Sequence, residues 1–245
     1  WWNFPVSDYV RDRLLLGAVY GNGTDIDDDI SAFISNPMEH AEASKIALFS
    51  IADYAWNMDA YKSDASWRRA VRYLMPGHAA ALQVFASHNS DLGGNEHDFR
   101  REESEQIRPA LERLLDAYCR EGKREVAAAS AVTEECERMI ASADLLLASD
   151  ENPALIKEIS PWLIQFKLLG EYGREVLCML AAQCDGKKTE LEKAASHAKA
   201  LQVLMKKIDA TYNQNGFQPG VKTGSCHLKP AFDRLYQEVV QRTGK

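Results

Sequence analysis

The sequence predicts a mainly α protein in which a short strand-and-loop segment leads into an antiparallel helical bundle. Three observations carry this. Apolar residues at Leu155, Ile159, Trp162, Phe166, Leu169, Gly173, Val176 and Leu180 follow alternating steps of four and three, the seam of a helix packed in a bundle. The same periodicity returns in residues 104–120, 131–148 and 188–212. The first nine residues are instead aromatic and strand-compatible, and Pro5 breaks any strand directly after Phe4.

Size and charge bound the possibilities. A chain of 245 residues holds one large domain or two smaller ones, and 46% hydrophobic with 27% charged residues is ordinary globular composition. No apolar run approaches the roughly 20 residues needed to span a bilayer. A net charge of -7, without a basic cluster interleaved with aromatics, disfavours nucleic acid and anionic membranes as partners. The five cysteines contain no CxxC pair and read as free, semi-buried packing residues rather than a disulfide framework or a zinc site. The chain starts at Trp1 with no visible leader, and a strand beginning there suggests a piece of a longer protein.

Taken in order, Trp1, Trp2, Asn3, Asp8 and Tyr9 place hydrogen-bonding groups beside an aromatic face, which suits a small polar ligand such as a sugar. Residues 10–36 read as a long ordered loop with a Gly21-Asn22-Gly23 turn and the acidic run Asp27-Asp28-Asp29. Asn36, before Pro37, is expected to be extended. Helices are expected over 38–58, then from a cap at Asp64 through Trp67, Val71 and Leu74 to Pro76-Gly77, and over about 78–88. The polar, glycine-containing loop from Asn89 to His97 is the clearest boundary, dividing residues 1–100 from 101–245. Beyond it, Ile107, Leu111, Leu114 and Tyr118 form one stripe, and Val132, Cys136, Met139, Ala143 and Leu146 another. Ser160-Pro161 is expected to cap and restart, or kink, the long seam helix. Leu191, Ala198, Leu201, Met205, Ile208 and Tyr212 line the next helix; a glycine-rich loop over 213–225 and a last helix over about 229–242 follow.

The residues alone assemble no complete catalytic set. Asp28-Asp29 could be paired carboxylates of a glycosidase, but they follow a turn rather than a strand and read as an exposed acidic helix start. Glu39-His40 has no second histidine at i+4 and is no zinc-protease motif; His40 is expected to be a hydrogen-bonded structural residue. Cys226-His227 has no adjacent acid to complete a nucleophile. No residue set implies a metal or a cofactor.

The stretch Trp1 to Tyr9 resembles the last barrel-strand segment of glycoside hydrolase family 84, the β-N-acetylglucosaminidases that include O-GlcNAcases and bacterial enzymes called hyaluronidases. Leu14 to Tyr20, Asn36 to Glu42, Tyr54 to Asn57, His88 to Gly93, Arg100 to Ser104, Pro161-Trp162 with Gln165 to Lys167, and Phe217 to Lys222 continue the resemblance in order. It implies that residues 1–100 close a (β/α)8 TIM-barrel catalytic domain and residues 101–245 form the helical bundle behind it. Barrel sites lie at the C-terminal strand ends, where Asn3 and Asp8 would emerge. By resemblance, Asp8 accepts hydrogen bonds from O4 and O6 of N-acetylglucosamine and Asn36 binds a ring hydroxyl. Asn3 lies near the acetamido group, Trp1 forms pocket wall, and His97 approaches from its loop.

The resemblance further implies substrate-assisted retention, in which the acetamido carbonyl attacks the anomeric carbon and an Asp pair on an earlier strand steers and protonates. That pair is not in this sequence, so this chain contributes no catalytic residue and is not expected to hydrolyse glycans by itself. Its partners would be an N-acetylglucosamine-containing glycan or glycoprotein and the N-terminal part of its own catalytic domain, with no cofactor. A secreted or periplasmic bacterial setting rests on the resemblance alone. The competing reading is a helical scaffold or interaction module without activity.

Overall fold

The computed structural model describes residues 11–21, 23–90 and 101–243. The first strand expected from the sequence falls outside these residues. Among the described residues the fold is mainly α, with eight α-helices, one 3-10 turn over Asp27–Asp29 and only isolated bridge residues at Val19 and Ser35.

The helices are α1 (Ala41–Trp56), α2 (Ser63–Leu74), α3 (Ala79–Ser87), α4 (Arg108–Glu121), α5 (Val126–Leu147), α6 (Pro153–Cys184), α7 (Lys188–Thr211) and α8 (Leu228–Thr243). The organising element is α6, which packs against α5, α7, α8 and α1. Every apolar residue of its predicted seam is buried, with Ile159, Phe166 and Leu169 fully so. Gly173 and Gly170 are buried among them because neighbours approach the backbone there: a Cβ on Gly170 would lie 2.9 Å from the Cys136 carbonyl of α5. The α5 stripe Val132, Cys136, Met139, Ala143 and Leu146 faces this seam and is wholly buried.

One apolar cluster joins both halves of the chain. Leu14, Leu15, Leu16, Trp67 and Phe85 share it with Leu114, Met139, Phe166 and Phe232. A smaller cluster around Val19, Ala47, Ile51, Tyr54 and Met58 closes the other end of α1.

Four local expectations are corrected. Asp64 is no cap: α2 starts at Ser63, its N-cap Lys62 makes no side-chain hydrogen bond, and Asp64 instead pairs with Arg101. Pro161 does not restart a helix, for α6 runs through it unbroken; lying in the third turn after the Asn152 cap, it costs one backbone bond that lateral packing offsets. Tyr212 falls beyond α7 and is exposed. Asn89 and Ser90, expected in an exposed loop, are buried, and the remainder of that loop from residue 91 lies outside the described residues.

Candidate functional site

Of the residues expected to hold a sugar, Trp1, Asn3, Asp8 and His97 lie outside the described residues, and Asn36 lies within them. The structure therefore gives the mounting of Asn36 and of the chain that follows Asp8.

Asn36 is half-buried at the end of the loop into α1. The residues after it are pinned from two sides. The Met38 sulfur accepts the Leu15 N–H at 3.1 Å, and the Met38 carbonyl accepts the Ser44 hydroxyl at 3.3 Å. The free N–H groups at the start of α1 are met by a carboxylate from the distant α6: Glu158 accepts Glu42 N–H at 3.2 Å and Ala43 N–H at 2.8 Å. A carboxylate there also complements the positive end of the helix dipole. His40 is structural but not hydrogen-bonded as expected. Its Nε2 is buried without a partner among the described residues, and the ring stands edge-on to Trp162 at 4.9 Å. Burial lowers its pKa despite Glu158 and Glu39 nearby, so the ring stays neutral and packs as an aromatic.

The chain just after the opening stretch is held by the helical half. Trp162 Nε1 donates to the Asp12 carbonyl at 2.9 Å, and the Lys222 N–H donates to the same oxygen at 2.7 Å. Asn213 Nδ2 donates to the Arg11 carbonyl at 2.8 Å and to the Gly220 carbonyl at 2.7 Å. Asn213 adopts a left-handed φ of 50°, which Asn tolerates better than most residues. Asp209 sets the far side of this loop, accepting Val221 N–H at 2.9 Å and the Lys222 ammonium at 2.7 Å. Gly220, at φ 114°, leaves no room for a Cβ, which would press on the Asp209 carboxyl. Leu14 to Val19 then runs buried, its polar backbone met by Asn89 O, Ser50 Oγ, Trp67 Nε1 and Tyr61 OH.

The segment flanks at residues 88–90 and 101–104 form a buried polar junction. His88 is bonded through Nδ1 to Ser104 Oγ at 2.8 Å and through Nε2 to Glu135 of α5 at 2.7 Å. Burial alone would raise the Glu135 carboxyl, but His88 and Arg138 outweigh it and hold its pKa below the ordinary value. Glu103, almost fully buried, accepts Cys226 N–H at 3.0 Å and His227 N–H at 3.0 Å, ahead of α8. Arg101 lies 4.5 Å over the Trp67 ring while pairing with Asp64. Glu103, Glu135, Glu158 and Asp209 are the polar residues that sequence reasoning did not single out; each acts on a partner too distant in sequence for any local motif.

The sequence alternatives to a sugar site find no support in the geometry. Asp28 and Asp29 are exposed in the 3-10 turn, as expected for a solvated acidic start. His78 sits 3.0 Å from Glu151 as a structural pair. None of the five cysteines is in a disulfide; Cys136 is fully buried, whereas Cys178 and Cys184 are exposed rather than semi-buried. Burial pushes the Cys136 thiol far up, so it is an inert packing residue. Among the described residues no three His, Cys, Asp or Glu side chains converge on a metal site, and no helix is long and apolar enough to cross a membrane.

Compared with known families, residues 1–87 match the β-N-acetylglucosaminidase domain, and residues 103–236 match the post-catalytic domain of bacterial family 84 glycoside hydrolases. The chain belongs to glycoside hydrolase family 84. Among solved structures it is similar to CpGH84B, with 25% identity and a TM-score of 0.84 over 96% of this chain and 39% of that one. It is similar to CpGH84D at 27% identity and a TM-score of 0.81, over 98% of this chain and 40% of that one. A mutant O-GlcNAc hydrolase from Thermobaculum terrenum shares the fold at 19% identity and a TM-score of 0.74, covering 99% of this chain and 49% of that one. The chain thus spans 39% to 49% of the length of these family 84 relatives.

Proposed function

We propose that this chain is the carboxy-terminal part of a retaining, substrate-assisted β-N-acetylglucosaminidase, and that it supplies half of the sugar-binding subsite. The observation that carries the reading is the order of the two family matches: a β-N-acetylglucosaminidase segment over 1–87 is followed by a post-catalytic domain over 103–236. In this reading Asp8 accepts two sugar hydroxyls and Asn36 a third. Asn3 lies by the acetamido group, Trp1 walls the pocket, and His97 approaches from its loop. The acid that protonates the leaving oxygen and its neighbour that steers the acetamido group come from an earlier barrel strand, so this chain alone turns over no substrate. The boundary near residue 100 separates the barrel's closing section from the helical domain. The substrate is a glycan or glycoprotein ending in N-acetylglucosamine, and the setting is a secreted or periplasmic one.

The chemistry gives Asp8 the largest effect. A carboxylate accepting two hydroxyls makes charge-assisted bonds, stronger than neutral ones. Removing it from a desolvated subsite costs about 2–4 kcal/mol in transition-state binding. That is roughly a 30- to 1000-fold loss of kcat/KM. The test is hydrolysis of an aryl N-acetylglucosaminide by the full-length enzyme carrying Asp8→Ala or Asp8→Asn. Asp8→Ala is expected to fall in that range and Asp8→Asn between it and wild type. An unchanged kcat/KM for Asp8→Ala removes Asp8 from the site.

A further inference from the structure

A cleft of about 670 Å³ lies between α6, α7, α8 and the 213–225 loop, within the range of small-molecule sites. We propose that it binds a small uncharged saccharide, as a second sugar site carried by the helical half.

The walls are polar but carry their charges in pairs. Lys222 is held by both carboxylate oxygens of Asp209, at 2.8 and 2.7 Å, Lys229 pairs with Asp233 one turn further along α8, and Arg13 lies 3.6 Å from Asp12. Lys206 stands at the solvent-exposed rim. An anion would meet Asp209 and Asp233 and a cation would meet their lysines, so a charged ligand gains no unanswered counter-charge to offset its desolvation. A hydroxyl carries no such cost. It both donates and accepts, and an ion-paired carboxylate and ammonium keep spare lone pairs and N–H groups for it. The wall is also fixed in advance, because the Tyr172 hydroxyl lies 3.0 Å from Asp233 and accepts Gln202 Nε2 at 2.8 Å.

Two buried oxygens of the lining call for hydroxyl partners. Gln165 and Thr223 are 4% and 3% exposed, and Gln165 Oε1 and Thr223 Oγ1 have no hydrogen-bond partner among the described residues. The Gln165 amide cannot simply turn over: its Nε2 donates to the Met205 carbonyl at 3.2 Å, and the reversed amide would set two oxygens against each other. Buried polar atoms in native proteins are almost always matched, so an unmatched acceptor and an unmatched hydroxyl in one cleft point to a partner from outside the fold. A sugar hydroxyl donates to Gln165 and takes either role with Thr223. Met205 and Pro230 add the apolar surface against which the C–H face of a sugar ring packs.

The inference does not depend on the catalytic reading, and its test involves no hydrolysis. The full chain, labelled with carbon-13 at its methionine methyl groups, is titrated by NMR with glucose, maltose, cellobiose and N,N′-diacetylchitobiose, and with glucose 6-phosphate as the charged control. Met205 lines the cleft, whereas Met38 follows Asn36 by two positions, so the two methyls report the cleft and the proposed catalytic subsite separately. At least one neutral saccharide is expected to shift the Met205 methyl saturably, with glucose 6-phosphate at least tenfold weaker than that saccharide. Its affinity is expected to stay within twofold between about 0.1 and 1 M salt and in Lys206→Met. Thr223→Val is expected to weaken binding severalfold with an unfolding midpoint at or above that of wild type, because an unmatched buried hydroxyl costs stability. If Thr223→Val does not fold, the salt series and the glucose 6-phosphate comparison decide. The proposal is overturned if no neutral saccharide shifts Met205 saturably, which leaves the cleft to ordered water, or if Met38 moves without Met205, which places the sugar in the catalytic subsite instead. A tenfold loss of affinity at high salt, or unaltered binding in folded Thr223→Val, overturns it equally.

Discussion

Asn213 is the sharpest place to test whether the helical half fixes the chain leaving the proposed sugar subsite. Its amide gives one hydrogen to the Arg11 carbonyl at 2.8 Å and the other to the Gly220 carbonyl at 2.7 Å. Asn213→Asp keeps the shape and the tolerance of the left-handed φ of 50°, yet turns both donors into acceptors. Two neutral hydrogen bonds at about 1 kcal/mol each, plus the carbonyls left facing a carboxylate, give a cost of about 2–4 kcal/mol at neutral pH. If the loop opens locally, exchange of the Lys222 amide, which is bonded to Asp12 O at 2.7 Å, should speed up by roughly 30- to 1000-fold. A protonated acid donates once, so acidification below about pH 4 should restore part of the loss. Arg11 follows Asp8 by three positions, a reach of about 11 Å at most. Misplacement by about 1 Å can cost on the order of 100-fold in rate, so the full-length variant should lose kcat/KM as well. Urea denaturation at neutral and acid pH, amide exchange by mass spectrometry and hydrolysis of an aryl N-acetylglucosaminide together test this. A cost below about 1 kcal/mol, or unchanged exchange at Lys222, refutes the clamp.

Two further perturbations probe the packing behind it. Glu135 has its carboxyl held below the ordinary value by His88 and Arg138 against the effect of burial, so its contribution to stability is present above roughly pH 4.3 and is lost as pH falls through the folded value. Glu135→Gln should flatten the acid side of the stability-against-pH curve measured by urea midpoints, and a slope identical to wild type would remove His88–Glu135 from the account. Gly170→Ala drives a Cβ to within 2.9 Å of the Cys136 carbonyl and 3.0 Å of Ile140 Cγ1, where backbone cannot yield cheaply. It should cost about 1–3 kcal/mol in the same assay, and a change under about 0.5 kcal/mol would mean that α5 and α6 are not so closely packed.

What could be read in advance, and what could not, divides along the range of the interactions. The helices were legible because burial repeats with their own period: the stripe of α6 from Leu155 to Leu180 is buried at every predicted position. Asp64 misled because an acidic residue near a helix start is an ordinary cap signal, and nothing local announces that Arg101 claims it instead. The opening aromatic and polar residues suggested a sugar-type site, and the resemblance gave each proposed residue its role. The supports of that site join residues too far apart for any pattern: Asn213 to Arg11 spans 202 positions, Trp162 to Asp12 spans 150, and Glu103 to Cys226 spans 123. Asn36 looked like a residue presented by a loop, and the structure adds that the chain beyond it is tied to α6 through Glu158.

These supports share one design. Glu158, Glu103 and Asp209 each direct a carboxylate at backbone N–H groups of another segment, and those segments are α1 after Asn36, the approach to α8, and the loop that holds Asp12. A backbone amide is present whatever the side chain, proline excepted, and a carboxylate bonded to one fixes position more tightly than a surface ion pair does. The helical half therefore does more than stand behind the proposed barrel end. Through Trp162, Asn213 and Lys222 it grips carbonyls immediately after the opening stretch, and through Glu158 it caps the helix that follows Asn36. The apolar cluster running from Leu14 to Phe232 makes the same point in hydrophobic terms, because neither half completes its core alone. That mutual dependence weighs against a free-standing helical interaction module. It favours a domain whose work is to hold the segments of the proposed sugar subsite at fixed separation, the kind of preorganisation on which transition-state binding depends.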